Sequence, residues 1–469
     1  MSAFKRTAPE SLLLVTLAGI TIGAITVGLG NWSGSGLGRL LLLPVSIAGL
    51  LLLAINKELC LLLLILTRAP IDPLLETIKL GPVGGGAILN ALVILIAAAC
   101  LTEQAKENRW SSFAIWSPIL FVMMISAARA AEPLYGVRSF LSFLTNFAVF
   151  LAPSFLPRCR YDLNYSIKAI VLSSIIPVAY AFFDLYHGGY ANPEAERISS
   201  TFPHPNIFAF YLVLVISLTF FTLKTNSKPL AGGSRVFLWG YLFVMLVELA
   251  LTKTRSAWAV LFLTLIVYGC LFEKKYLLYS IVLTVVAMLI APIQDRLLNL
   301  TDAKVFWNYG FAANSYEWRQ ILWESAWNWM SLSNIVFGNS LGSFLKFSPT
   351  FFPLSGGIEF GAHNVYLQLL FEEGVIGVAS FIWLFGGLLL AIYRDRVTEK
   401  LAIFIVLALL AQYLVAGYSD NMLDYLSFNW NLWFLCGTAY SIASVNHSLD
   451  GTKSNSKTDT RFRIKLHRG

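Results

Sequence analysis

The chain has 469 residues, of which 57% are apolar and only 13% charged, and its mean hydropathy is +0.68. Soluble globular proteins hold roughly 45–50% apolar and ~25% charged residues, so an ordinary soluble enzyme is excluded, and so is a disordered chain. The formal charge of +8 does not point to nucleic acid, because residues 453–469 carry six Lys/Arg against one Asp; a short basic tail after a last membrane helix faces anionic lipid.

The apolar excess comes in nearly charge-free blocks, most of about the length that carries an α-helix across a ~30 Å hydrocarbon core. In chain order they cover 11–29, 36–55, 58–69, 83–100, 111–127, 136–156, 167–186, 206–223, 236–252, 256–271, 276–293, 371–392, 401–417 and 428–445. The block at 58–69 is short for a full crossing, so the sequence predicts an all-α polytopic membrane protein of 12–14 transmembrane helices. Lys5 and Arg6 precede the first block without a small-residue cleavage site, which reads as an uncleaved span. With both termini cytoplasmic, Lys57, Arg158, Arg160, Lys224, Lys274, Lys275, Arg394, Lys400 and the tail fall on the inner side, as the positive-inside rule requires. The expected organisation is an N-terminal bundle of about eleven spans (1–293), a large outer loop (294–364), three C-terminal helices (365–447) and a basic cytoplasmic tail (448–469). The five cysteines are scattered without a CxxC pair, so neither redox chemistry nor a cysteine metal site is expected.

The loop at 294–364 holds five of the thirteen tryptophans. Within it, SYEWRQILWESAWNWM predicts an amphipathic helix with Trp323 and Trp327 one turn apart, lying on the bundle or at the outer leaflet.

Charges beside this loop are the candidates for chemistry. Arg255 lies in LALTKTRSAWAVLF, between two spans with almost no loop. Its guanidinium either snorkels to the interface or clamps a phosphate, and Lys253 shares the turn. Arg319 sits in the loop helix, either paired with Glu317 or Glu324 or facing a ligand. Arg197 heads the span at 206–223. Thr201 and His204 can serve simply to start that helix. Arg296 is adequately explained as an interface anchor. Arg129 and Arg138 flank the start of the sixth span, the latter one turn inside it, where a charge needs a partner or a polar cavity. His363, in GAHNVYLQLLFEEGVIG, stands where the loop becomes a helix. It is either an interfacial cap or a general base, since a neutral imidazole can take a hydroxyl proton. No HExxH or other metal-ligand spacing accompanies it, so metal-independent chemistry without a cofactor is expected.

HNVYLQLLFEEGVIG, TKTRSAW and RISSTFPHPNIFAFYL, with many spans followed by one large loop before the last three, resemble the O-antigen ligase/polymerase superfamily of bacterial integral membrane glycosyltransferases. The resemblance covers roughly 110–445 and is strongest at His363, Asn364, Tyr366, Leu367, Gln368, Glu372, Gly374 and Gly377. It implies a GT-C-like bundle in the bacterial inner membrane with the active site facing the periplasm. It also implies an undecaprenyl-diphosphate-linked glycan donor. Ligases transfer that glycan to lipid A core, polymerases extend another lipid-linked glycan, and related transferases use a protein hydroxyl. Carried over residue by residue, Arg255, Arg319 and His363 match the catalytic set. Arg197, Lys253, Arg138, Asn364, Gln368 and Tyr366 are placed with them as substrate or diphosphate contacts. The chain departs from many relatives in its Lys-Thr before Arg255 and in two additional spans. The same signature occurs in proteins once linked to bicarbonate uptake. A transporter, with Asn90, Thr145, Asn146 and Asp184 as polar candidates in the spans, is therefore the alternative of another class. Paired carboxylates in register are not evident, which argues against a hydrolase of that type.

Overall fold

The computed structural model describes residues 55–77, 79–80, 83–103, 109–187, 197–225, 231–289, 315–395 and 398–466. The predicted stretch at 11–29, all but the last residue of that at 36–55, and Arg296 lie outside them. Every later apolar stretch, as far as it is described, falls mainly on helix, giving a polytopic helical membrane bundle. Its only described strands are two-residue pieces, Lys79–Leu80 against Val83–Gly84. Six helical stretches among the described residues, Leu163–Tyr186 counted as one, are long and apolar enough to cross a membrane.

The bundle begins with α1 (Lys57–Thr67), whose eleven residues agree with the short stretch predicted there. The short α2 (Asp72–Thr77) leads to α3 (Gly85–Glu103), α4 (Arg109–Ala128) and α5 (Pro133–Phe155). The stretch at 167–186 is divided into α6 (Leu163–Ser173) and α7 (Ile175–His187). Pro177 explains the break: it has no N–H to donate one turn back, and its ring crowds that carbonyl. Then come α8 (Pro205–Lys224), α9 (Gly232–Leu251), α10 (Arg255–Leu271) and α11 (Lys275–Leu289). The long loop contributes α12 (Ser315–Trp329), α13 (Leu332–Phe337) and α14 (Ser343–Phe351). The chain closes with α15 (Val365–Tyr393), α16 (Lys400–Ala416) and α17 (Leu426–Leu466).

The core is aromatic. Trp116 is fully buried between Phe143, Phe147 and Phe150 of α5 and Trp433 of α17, its ring 4.8 Å from that of Trp433. Lipid is as apolar as these side chains, so their contribution is close packing rather than escape from solvent. Helices alternate in direction, so the junctions after α1, α4, α7, α9 and α16 gather at one end of the bundle with α12–α14. The opposite end carries Lys224 and Lys275 paired with Glu273 at 2.8 and 2.6 Å, and Thr225 against Glu399.

A second small core holds the 315–363 segment together. Leu322 and Ala326 of α12 meet Phe344 and Phe351 of α14, and Phe371 of α15 reaches up into them. The segment is locked to α15 at a helix break. Gly374 has φ 71° and ψ −167°, conformational space open to glycine. The carbonyls that this break frees find donors in the loop. Asn339 N donates to Phe371 O at 2.8 Å, and Ser340 N to Glu372 O at 2.9 Å. A Cβ on Gly374 would lie 2.2 Å from Val336 O, and one on Gly338 2.1 Å from Glu372 O, so only glycines permit this approach.

Candidate functional site

The site is assembled at the loop end from five chain segments. α9 ends and α10 begins within three residues, and Lys253 between them takes φ 52°. Arg197 secures that turn. Its Nε donates to Thr252 O at 2.7 Å, and its Nη2 to Thr254 Oγ1 at 2.8 Å and Asn206 Oδ1 at 2.5 Å. Thr252 O is a carbonyl left without a helical partner at the end of α9, where a cation is favoured. Arg197 therefore has a positioning role, and it shapes the ground on which Arg255, the first residue of α10, stands.

Asn206 passes the connection on. Its Nδ2 donates to Asp420 Oδ1 at 2.6 Å. Asp420 is fully buried and also accepts from Ser256 Oγ at 2.9 Å and Tyr425 OH at 3.1 Å. Burial raises its pKa, while Arg319, Ser256, Asn206 and Tyr425 oppose the rise. The carboxylate thus ties the start of α10, hence Arg255, to the 417–425 strip.

His363 stands on the other side of that strip. Its backbone N donates to Asn421 Oδ1 at 2.6 Å, and the next helix starts with Val365 N donating to Gly417 O at 2.7 Å. The residue adopts φ 47°, uncommon for a side chain with a Cβ. Trp318 of α12 meets the imidazole edge-on at 5.7 Å, and Trp323 Nε1 donates to Ala362 O at 2.7 Å. Arg319 is carried by the same turn of α12. Desolvation, then Arg319, then His204 lower the His363 pKa to about 4, so the ring is neutral at pH 7. Its Nδ1 is buried and, among the described residues, has no hydrogen-bond partner.

His204 completes the group. Its Nδ1 accepts Asn206 N at 3.1 Å, so it caps α8 as the sequence suggested. The ring keeps an exposed edge, yet desolvation and the charges of Arg197 and Arg319 bring its pKa to about 4. A capping Nδ1 must be unprotonated, so the cap and the charges favour the same neutral form.

Of the residues singled out from sequence, His363 and Arg319 sense one another directly. Arg255 and Lys253 occupy the adjoining turn, half-buried. Asn364 and Tyr366 have their polar atoms engaged within the fold. Asn364 Oδ1 caps α15 by accepting from Tyr366 N and Leu367 N, each at 3.0 Å, and Tyr366 OH donates to Leu414 O at 2.6 Å. Arg138 and Gln368 belong to a separate cavity of about 220 Å³ with Glu372, Glu373 and Asp424. Arg129 donates to Phe337 O and Gly338 O, both at 3.2 Å, and so clamps the loop. Asp184 Oδ2 accepts Ser199 N and Ser200 N at 3.0 Å, a loop-capping use. Asp420 escaped the sequence reading: it lies in an ordinary polar turn, and only the fold brings Asn206 and Ser256 to it. Among the described residues, no group of three or more His, Cys, Asp or Glu is arranged to hold a metal ion.

The stretch from α9 through the first half of α15 can be compared with known families. Residues 240–382 match the Wzy_C model, described as O-antigen ligase. The match takes in Lys253, Arg255, Arg319, His363 and the Gly374 break, and a polytopic bundle carrying it is consistent with the O-antigen ligase superfamily. Arg197, His204 and Asp420 lie outside the matched stretch, although the fold brings them to the same site. No curated protein matches the chain.

Proposed function

We propose that this protein is an integral membrane glycosyltransferase of the O-antigen ligase type. In this reading it moves a glycan from an undecaprenyl-diphosphate donor to a hydroxyl acceptor such as lipid A core. The observation that carries the reading is a desolvated, neutral His363 held beside Arg319 at the mouth of the bundle. Transfer needs a base and a cationic seat for the leaving diphosphate, and they must adjoin without the base becoming protonated. A desolvated histidine beside Arg319 meets that condition, because burial and the positive charge both make protonation of the ring less favourable.

The step follows from these roles. An acceptor hydroxyl gives its proton to the His363 imidazole as its oxygen bonds to the anomeric carbon. The bond from that carbon to the diphosphate oxygen breaks, and its electron pair leaves with the diphosphate. Arg255 and Arg319, with Lys253, stabilise the charge that grows there. Attack opposite the leaving group inverts the anomeric centre. The clustering of Lys224, Lys275, Arg394 and Lys400 at the other end supports a cytoplasmic placement for that end and a periplasmic site in a bacterial inner membrane.

Reconstitution in proteoliposomes with a purified undecaprenyl-diphosphate-linked glycan tests this reading. Label arriving on lipid A or a protein supports the ligase. Lengthening of the lipid-linked chain identifies a polymerase using the same site. Solute flux, bicarbonate included, with no glycan product would overturn the transferase reading in favour of a transporter.

A further inference from the structure

A second polar chamber lies about one and a half to three helical turns along the chain from His363. It is the cavity of about 220 Å³ between α4, α5, the first half of α15 and residues 423–426. Two of its buried polar atoms, Gln368 Oε1 and Glu373 Oε2, have no hydrogen-bond partner among the described residues. Glu373 is only 3% exposed, and its other oxygen accepts Ser126 Oγ at 3.3 Å. Glu372 Oε1 accepts Phe344 N at 3.2 Å, which ties the chamber to the loop. Asp424 presents its accessible surface to the chamber it lines, and Arg138 and Tyr135 stand across from it.

We propose that this chamber, lined by Tyr135, Arg138, Gln368, Glu373 and Asp424, seats one uncharged, hydroxyl-bearing sugar ring of the acceptor. The proposal rests on the transferase reading and assigns the acceptor its place. Buried oxygens without donors call for a ligand rich in O–H groups. With a single arginine among three carboxyl groups, the chamber lacks the cationic surplus of the Arg197, Arg255 and Arg319 side and complements it instead of duplicating it. Its size admits a single ring, not an oligosaccharide. Its place supplies the geometry. Gln368 is one turn along α15 from Asn364, and Asp424 follows Asp420 and Asn421 on the strip that holds the His363 backbone. On this proposal the rest of the acceptor extends from the seated ring along α15 toward His363. Leu134 and Val137 near Arg138 are 65% and 51% exposed, the exposure of lipid-facing residues. The ring is thus one presented from the membrane interface.

The test uses the full chain in detergent, with methyl glucoside, galactoside, mannoside and N-acetylglucosaminide as free probes and inorganic pyrophosphate as the anion probe. Saturation-transfer NMR should show at least one glycoside bound, weakened at least tenfold by Glu373→Gln and abolished by the cavity-filling Ser139→Phe. Pyrophosphate affinity should not change in either variant, whereas Arg255→Ala should weaken pyrophosphate and spare the glycoside. In the transfer assay, Glu373→Gln should raise the acceptor KM about tenfold with kcat and donor KM held. Nanodiscs bearing a monoglycosyl lipid should bind more tightly than the free glycoside if the ring arrives on a lipid, and equally if it arrives free. Absence of binding by every glycoside, or binding unchanged by both variants, overturns the proposal. Glycoside binding that behaves as expected in a protein that transfers no glycan would leave the chamber standing and remove the transferase reading.

Discussion

The pH dependence of His363 is the sharpest consequence of the site. An imidazole with the ordinary pKa of 6.5 is about 3% neutral at pH 5, and one lowered to about 4 is about 91% neutral there. If the neutral ring takes the acceptor proton, activity at pH 5 differs roughly 30-fold between the two cases. Transfer rates in proteoliposomes, normalised to pH 7.5 and followed down to pH 4.5, should therefore stay nearly flat until close to the lower end. Arg319 is the second contributor to the lowering, after desolvation, and His204 the third. Arg319→Gln should move the acid limb upward and Arg319→Lys should hold it. His204→Asn, which keeps a cap on α8, should move it slightly upward. The linkage has the same sign. Between pH 6.5 and 4 the unfolded chain binds a proton that the native ring refuses, so stability falls as pH falls through that window. Carbon-13 NMR of the imidazole in detergent reports the pKa without turnover. An acid limb near pH 6.5 in both measurements refutes the reasoning.

Three further outcomes are expected. His363→Ala and Arg255→Ala should each abolish transfer while leaving the thermal unfolding midpoint within a few degrees of wild type; near-full activity in His363→Ala would remove it as the base. Gly374→Ala should lower stability by about 2–4 kcal/mol, read as a clear fall in melting temperature in detergent, because a Cβ meets Val336 O and φ 71° is strained for alanine. Arg197→Lys should not rescue the loss caused by Arg197→Ala, since an ammonium cannot bridge Thr252 O, Thr254 Oγ1 and Asn206 Oδ1 from one planar group. Retained activity in the lysine variant would show that charge alone is required at that position.

Much of this fold is legible in the chain because span length and charge depletion are local signals. The helix at Ser315–Trp329 is equally local, written in the spacing of Trp318, Leu322 and Trp323, although Trp327, one turn beyond Trp323, is exposed instead of joining their face. What local pattern cannot carry is a junction made by two distant segments. Gly374 reads as one glycine in an apolar helix until Gly338 is laid against it, and the break between α6 and α7 depends on a single proline that other spans tolerate. The site divides in the same way. His363, Arg319 and Arg255 stand out because charge and imidazole are scarce near apolar spans. Asp420, Asn206 and Ser256 are ordinary polar residues until packing removes their water. Arg197 was legible as a charge but not in its role, because its partners, a helix-end carbonyl and two side chains, come from α8 and the α9–α10 turn.

The 417–425 strip explains why so few charges suffice. Asn421 holds the His363 backbone and Gly417 that of Val365, while Asp420 holds Asn206 and Ser256, so Arg255 and His363 are referenced to one short piece of chain. Arg319 is referenced to the same place by Trp323, whose indole N–H is fixed on the carbonyl of Ala362, the residue before His363. Asp424, at the far end of the strip, faces the carboxylate-rich chamber. Desolvation within the chamber raises its pKa to about 6, so below that pH its carboxyl can donate as well as accept. One short strip thus adjoins the arginines through Asp420 and the carboxyl-lined chamber through Asp424, and the backbone of the neutral imidazole is bonded to it. On the transferase reading, expelling an anionic diphosphate while activating a neutral hydroxyl calls for that separation, whereas a solute pathway gains nothing from it.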